Sequence, residues 1–164
     1  MMMNREALVS SAARLTPPSV EAVQEYAAHV PVLAALLDDA MLAHPNLEQL
    51  VGSGNMAMMQ NNHRNHFRYM ASVMAVYDPA SFAETVVWVV RTYRAHGFSL
   101  AYWPVMLEQA LQAMQRTLRP ATAAQVAPFY EWLASQLEGI AHVAAAPTAW
   151  ETASPMPPVC GEAS

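Results

Sequence analysis

Residues 56–77 read MAMMQNNHRNHFRYMASVMAVY, and their spacing decides the fold class. Met56, Met59, His63, His66, Met70, Val73 and Tyr77 recur in alternating steps of three and four. That period puts them on one narrow face of an α-helix. Arg64 and Arg68 fall off the stripe and are expected to face water. The stripe is apolar except for two imidazoles, His63 and His66, an unusual place for titratable rings.

Downstream, Asp78-Pro79 closes this helix and opens the next, with Asp78 as N-cap and Pro79 at the first helical position. The helix is expected over 80–96, with Phe82, Val86, Val89, Val90 and Tyr93 facing the core. Gly97 is suited to end it in a left-handed conformation. Ser99 is the next candidate cap, and helix follows to Leu118, with Pro104 tolerated in the first turn or as a kink. Arg119-Pro120 stops it. Thr122 with Gln125 resembles a capping box for the last helix, which carries Val126, Phe129, Tyr130, Leu133, Leu137 and Ile140. Upstream, Pro17, Pro18 and Ser19 signal a helix start, Pro31 imposes a kink or break near His29, and Gly52-Ser53-Gly54 is a turn. No strand-like alternation competes and no internal repeat is found. The expectation is an all-α fold: a leader over 1–16, one globin-like domain of about six helices over 17–145, and a Pro/Ala-rich flexible tail over 146–164.

Composition narrows the function. The chain has 164 residues, 54% hydrophobic and 13% charged, enough for one domain with a real core. A net charge of −5 argues against a nucleic-acid groove or an anionic membrane as partner. All eight basic residues are arginine, which removes lysine Schiff-base and P-loop chemistry. The single cysteine, Cys160, excludes a disulfide framework or a cysteine zinc site within one chain. These features point to a cytoplasmic protein, and no stretch is long and apolar enough for a spanning helix.

The six histidines are the main candidates for chemistry. His63 and His66, three apart, share a helix face and could present two rings to a metal or haem edge. Packed, hydrogen-bonded rings or a dimer interface explain the same spacing. Glu25 with His29 and Glu138 with His142 form ExxxH pairs, the basis of a helical metal-enzyme reading. The di-iron bundles that use such carboxylates need Glu-x-x-His and further glutamates that this chain does not supply. His96, before Gly97, suits a helix C-terminus as a cation; it is also the one histidine placed to act as an axial metal ligand facing the preceding helix. There is no GxSxG, HExxH or glycine-rich phosphate loop. The methionines, and Trp88, Trp103 and Trp132, read first as core or interface anchors.

From His63 to Leu118 the chain resembles known sensor domains. His66-Phe67-Arg68-Tyr69-Met70, Asp78-Pro79, Phe82, Val86, Trp88 and Gly97 resemble the helical domain ahead of cobalamin-binding domains in bacterial corrinoid-type regulators. The stretch is also similar to bacterial sensor globins, with Gly97-Phe98-Ser99-Leu100-Ala101-Tyr102-Trp103 filling their glycine turn. The resemblance implies a regulatory domain. The corrinoid ligand motif Asp-x-His-x-x-Gly is missing, so cobalamin binding by that route is not implied. Aligned on the glycine turn, Tyr93 stands at the sensor globins' proximal-ligand position, and His96 stands where the corrinoid-associated domains carry arginine.

The leading expectation is therefore a non-catalytic globin-like sensory or regulatory domain acting through a homodimer or a protein partner. The alternative is a haem (tetrapyrrole) sensor with His63, His66, Tyr93 or His96 near the iron and His96 as metal ligand.

Overall fold

A computed structural model describes residues 4–146. The expected tail and Cys160 lie beyond them. The described chain is all-α, in eight helices: α1 (Arg5–Ala12), α2 (Val20–Ala28), α3 (Val30–Leu42), α4 (Leu47–Val51), α5 (Met56–Ala75), α6 (Pro79–Ala95), α7 (Tyr102–Thr117) and α8 (Pro120–Ala145). None is long and apolar enough to cross a membrane.

Local chemistry sets most boundaries. The Ser19 hydroxyl accepts from the Ala22 amide at 3.1 Å and starts α2. Pro31 sits in the first turn of α3, so the chain breaks at His29, which ends α2 and precedes α3. Asp78 caps α6 with Pro79 at its first position. Pro104 falls in the first turn of α7, where its missing N–H has no intrahelical partner to lose. The capping box expected at Thr122 and Gln125 is not formed. Pro120 opens α8 behind the extended Arg119, Thr122 is buried in the first turn, and the Gln125 Oε1 accepts from the Ser19 amide at 2.7 Å. A proline with fixed φ at the first helical position took the role assigned to the threonine.

The packing follows two groups of partners. Helix α5 packs on α3 and α2, and α3 also packs on α7. Helix α6 packs on α8 and α1, and α8 joins the groups through α7 and α2. Tyr77, Phe82 and Phe129 meet edge-on and Trp132 lies tilted on Phe82, with ring centroids 5.2–6.2 Å apart. That cluster seats α1, which lies in the segment read as a leader. Tyr77 donates to the Ala12 carbonyl at 2.6 Å, Trp132 Nε1–H donates to the Ser11 hydroxyl at 2.9 Å, and Leu8 and Ala12 are buried. Two buried contacts on one short helix make too brief a stripe to stand out by periodicity.

The backbones of consecutive helices α5 and α6 stay apart along most of their length. They are held together at their ends instead. At one end the link 76–78 joins them. At the other, Asn55 Nδ2 donates to the Val51 carbonyl at 2.8 Å and to the His96 carbonyl at 2.7 Å. Gly52 (φ +90°) rests against Gly97 (φ +102°), and a Cβ on Gly52 would lie 3.0 Å from the Gly97 carbonyl oxygen. Only glycine combines that backbone conformation with that approach.

Candidate functional site

Arg64 and Arg68 face solvent, and His63 lies in the core at 1% exposure. Its Nδ1–H donates to the Asp38 carboxylate of α3 at 2.6 Å, and its Nε2 pairs with the Tyr102 hydroxyl of α7 at 3.1 Å. Tyr102 is buried, and His63 is the only partner of its hydroxyl among the described residues. The hydroxyl therefore donates to Nε2, which requires a neutral imidazole. Burial is the largest effect on His63 and holds its pKa below the usual value, against the opposing pull of Asp38. Asp, His and a hydroxyl in line resemble a nucleophilic triad. Here the hydroxyl is a tyrosine's, and at 1% exposure it meets no substrate.

His66 belongs to a second chain of hydrogen bonds, running the other way. Its Nε2 lies 2.9 Å from the Tyr130 hydroxyl of α8, which lies 2.6 Å from the Tyr26 hydroxyl of α2. Tyr26 is fully buried and its hydroxyl has no other partner among the described residues. Its proton must go to Tyr130, since any other arrangement leaves a buried donor unpaired, at a cost of about 1–3 kcal/mol. Tyr130 then donates to His66 Nε2, and the His66 proton resides on Nδ1. Burial, followed by the charge of His63, pushes the His66 pKa down to about 3. The two stripe histidines thus turn apart. Each carries a proton on Nδ1 and uses Nε2 to accept from a tyrosine.

His66, unlike His63, also borders open space. Between α5 and α6 lies a groove of about 450 Å³ whose walls include Asn62, Asn65, His66, Trp88, Tyr93 and His96. Beneath it a recess of about 60 Å³ reaches toward α7 and α8, lined by Met70, Val86, Met106, Leu107 and Ile140. His66, Tyr69 and Val89 border both spaces. Of the three tryptophans read as core or interface anchors, Trp103 and Trp132 are buried in the core, and Trp88 is 59% exposed on the groove wall. Of the four residues expected near a cofactor, the structure gathers His66, Tyr93 and His96 around this groove and places His63 elsewhere.

His96 ends α6, and its Nδ1–H donates to the Thr92 carbonyl at 2.8 Å. That bond fixes the tautomer and leaves Nε2 as the nitrogen able to bind a metal. His29 makes the same bond to the Glu25 carbonyl at 2.7 Å, so the geometry belongs to histidines at helix ends. The groove beside His96 is what distinguishes it. Burial pushes the Tyr93 pKa up to about 12, which keeps its hydroxyl protonated and a poor ligand.

The ExxxH pairs do not converge. The Glu25 carboxylate instead accepts from the Arg119 amide at 3.0 Å and from Arg119 Nε–H at 3.3 Å. The neighbouring Thr122 hydroxyl and Arg119 hold its pKa below the usual range. Glu138 and His142 are both exposed. Among the described residues no group of three or more His, Cys, Asp or Glu could hold a metal ion.

Sequence reading missed Asp38, Tyr102, Tyr130 and Tyr26 as partners of the histidines. The available signal was tyrosine on the apolar stripes of α2, α7 and α8, since a buried phenol needs a hydrogen-bond partner. Compared with known proteins, no family model, no curated protein and no solved structure matches the chain.

Proposed function

We propose that this chain is a non-catalytic sensory or regulatory domain whose input site is the groove between α5 and α6. The observation that carries this reading is the groove itself. Two helices joined by a three-residue link stand apart around about 450 Å³, a volume in the range of small-molecule sites. Its output would be association with a second copy or a partner protein, in the cytoplasm. Exposed Met56 and Met58 on α5, with Trp88 on α6, supply apolar surface for such a contact. A globin-like relationship accords with helices flanking a ligand groove.

The test is a thermal-shift screen of small molecules against the native chain and Val89→Trp, which places bulk in the groove. A ligand at a hundred times its Kd stabilises by about 2.7 kcal/mol. The expected result is a shift in the native protein that Val89→Trp loses. A native protein unmoved by every compound, hemin included, overturns the reading.

One observation favours haem as a second reading: His96 offers Nε2 at the groove. Of the residues present, His96 would be the one side chain free to hold the iron. His66 has its Nε2 occupied by Tyr130, and Tyr93 is held protonated. Haem would supply diatomic-gas or redox chemistry, while this chain would bind and orient it. A Soret band on adding hemin that His96→Ala abolishes supports this reading, and a flat spectrum rejects it.

A further inference from the structure

The groove's polar atoms are unevenly distributed, and this specifies what it can hold. Its walls contain amides and hydroxyls at Asn62, Asn65, Thr85 and Thr92 and no carboxylate or guanidinium. His96 is the only exposed titratable side chain among them, and it stands at the end of α6. His66, at the junction of groove and recess, has Nε2 committed to Tyr130 and no partner for Nδ1 among the described residues. The Tyr26–Tyr130–His66 chain sets that nitrogen as N–H. The Tyr69 and Tyr93 hydroxyls and the exposed Trp88 indole N–H also border the groove, but a hydroxyl can accept as well as donate; His66 Nδ1–H is the obligate donor at the junction of groove and recess. The rings of Trp88, Tyr69 and Tyr93 supply flat surface around it.

We propose that the groove binds an uncharged, flat aromatic molecule bearing a carbonyl-type acceptor, which receives the Nδ1–H of His66. This rests on the groove being the input site, and it adds the chemical class of the ligand. Charge is disfavoured by desolvation: a cation taken from water meets no carboxylate in the walls, and an anion meets only His96 at the exposed end of α6. His66 does not become a counter-charge, because Tyr130 already donates to its other nitrogen and burial opposes protonation. A ligand lacking an acceptor would leave the buried N–H unpaired. The recess of about 60 Å³ has room for a small apolar substituent and little more.

The experiment is a fluorescence titration with two dyes of the same fused-ring framework. Nile red is neutral and carries a ring carbonyl; Nile blue is a cation with nitrogen in its place. Anilinonaphthalene sulfonate serves as the anionic probe. The expected result is saturable one-to-one binding of Nile red, at least tenfold tighter than either charged dye and abolished in Val89→Trp. His66→Phe should weaken it about three- to tenfold, the range of one neutral hydrogen bond. Because that variant unpairs Tyr130 and is prone to unfold, histidine ¹H–¹⁵N spectra of the native protein provide a second reading. His66 should show Nδ1–H before binding, and its resonance should move on adding Nile red. Tighter binding of a charged dye, still abolished by Val89→Trp, overturns the ligand class and leaves the groove as input site. An Nδ1–H resonance unmoved at saturation overturns the hydrogen bond. Nile red binding that survives Val89→Trp, or no binding by any dye, overturns the proposal, and the latter removes the support for the input-site reading as well.

Discussion

Replacing one tyrosine at a time shows which way the hydrogen bonds run. The direction derived from burial is Tyr26 to Tyr130 to His66. Tyr130→Phe then removes the middle hydroxyl, leaving the Tyr26 donor without an acceptor and the His66 Nε2 without a donor. With about 1–3 kcal/mol for each buried group left unpaired, and some relaxation, the cost is about 2–4 kcal/mol. Tyr26→Phe removes only the terminal donor. Tyr130 still donates to His66, so the loss is one net hydrogen bond, about 1 kcal/mol. The double variant leaves only His66 Nε2 unpaired, so it should be no less stable than Tyr130→Phe alone, a non-additivity of about 1 kcal/mol or more. Urea denaturation measures all three. With m-values of about 1–3 kcal/mol/M, the Tyr130→Phe midpoint should fall by roughly 1–2 M and the Tyr26→Phe midpoint by about a third as much. If Tyr26→Phe costs as much as Tyr130→Phe, Tyr130 donates toward Tyr26. His66 then presents a bare Nδ1 to the groove, and the acceptor requirement placed on the ligand is refuted.

Other expectations follow from the same contacts. His63 and His66 both have folded-state pKa values below the unfolded value of about 6.5. The unfolded chain therefore takes up protons first as pH falls. Stability is full above about 6.5 and should drop below it by about 1 kcal/mol per pH unit for His66, with an acid slope that His63→Leu/His66→Leu flattens in urea melts at pH 4–7. The Glu25 pKa is also lowered, but for a carboxylate this means that folding favours the charged form. The link from α2 to Arg119 is thus strongest at neutral pH, and the melting-temperature difference between native protein and Glu25→Ala should vanish as pH falls through the carboxylate range. Gly52→Ala meets both a positive φ and the Gly97 carbonyl at 3.0 Å, so it should cost about 2 kcal/mol, and a stability unchanged within error would contradict the clamp. Asn55→Ala removes two hydrogen bonds to carbonyls and should cost about 1–3 kcal/mol in the same assay.

The helical class was legible because α5 to α8 carry long stripes and strong punctuation. Asp78-Pro79, Gly97 and Ser19 act through their own backbone chemistry, so their roles do not depend on tertiary context. The expectation of about six helices over 17–145 is close to the seven found there, α2 to α8, of which α4 is only five residues long; α1 adds an eighth in the segment read as a leader. Met56 satisfies the α5 period, yet as the first residue of the helix it is 49% exposed, while Met59 one turn on is fully buried. At the site, periodicity identified His63 and His66 as anomalous on an apolar face and could not say what they met. Their partners lie 25 to 64 residues away along the chain. Trp88 lies one residue off the Val86, Val89, Val90 stripe, and that position sets it on the exposed side of α6 outside the core.

The groove follows from those same partners. A tight link between two amphipathic helices ordinarily lets them pack as a hairpin. Here α5 spends its polar anchors elsewhere: His63 ties it to α3 and α7, and His66 ties it to α8 and α2. Helix α6 is drawn to α1 and α8 by Phe82 and its aromatic neighbours. The two helices share α8 as a partner but otherwise engage different neighbours, α2, α3 and α7 for α5 and α1 for α6, and the strip between them is left facing open space. The Asn55–His96 and Gly52–Gly97 contacts keep that strip from spreading at the far end. An opening that existed only through poor packing would close when its wall was loosened. This one should instead widen when Asn55 is lost, because α5 is held by α2 and α3, α6 is held by α1, and little joins α5 to α6 directly. Nile red affinity in Asn55→Ala discriminates the two: weaker binding, at a stability still sufficient for a folded protein, is the result that anchoring to separate partners requires.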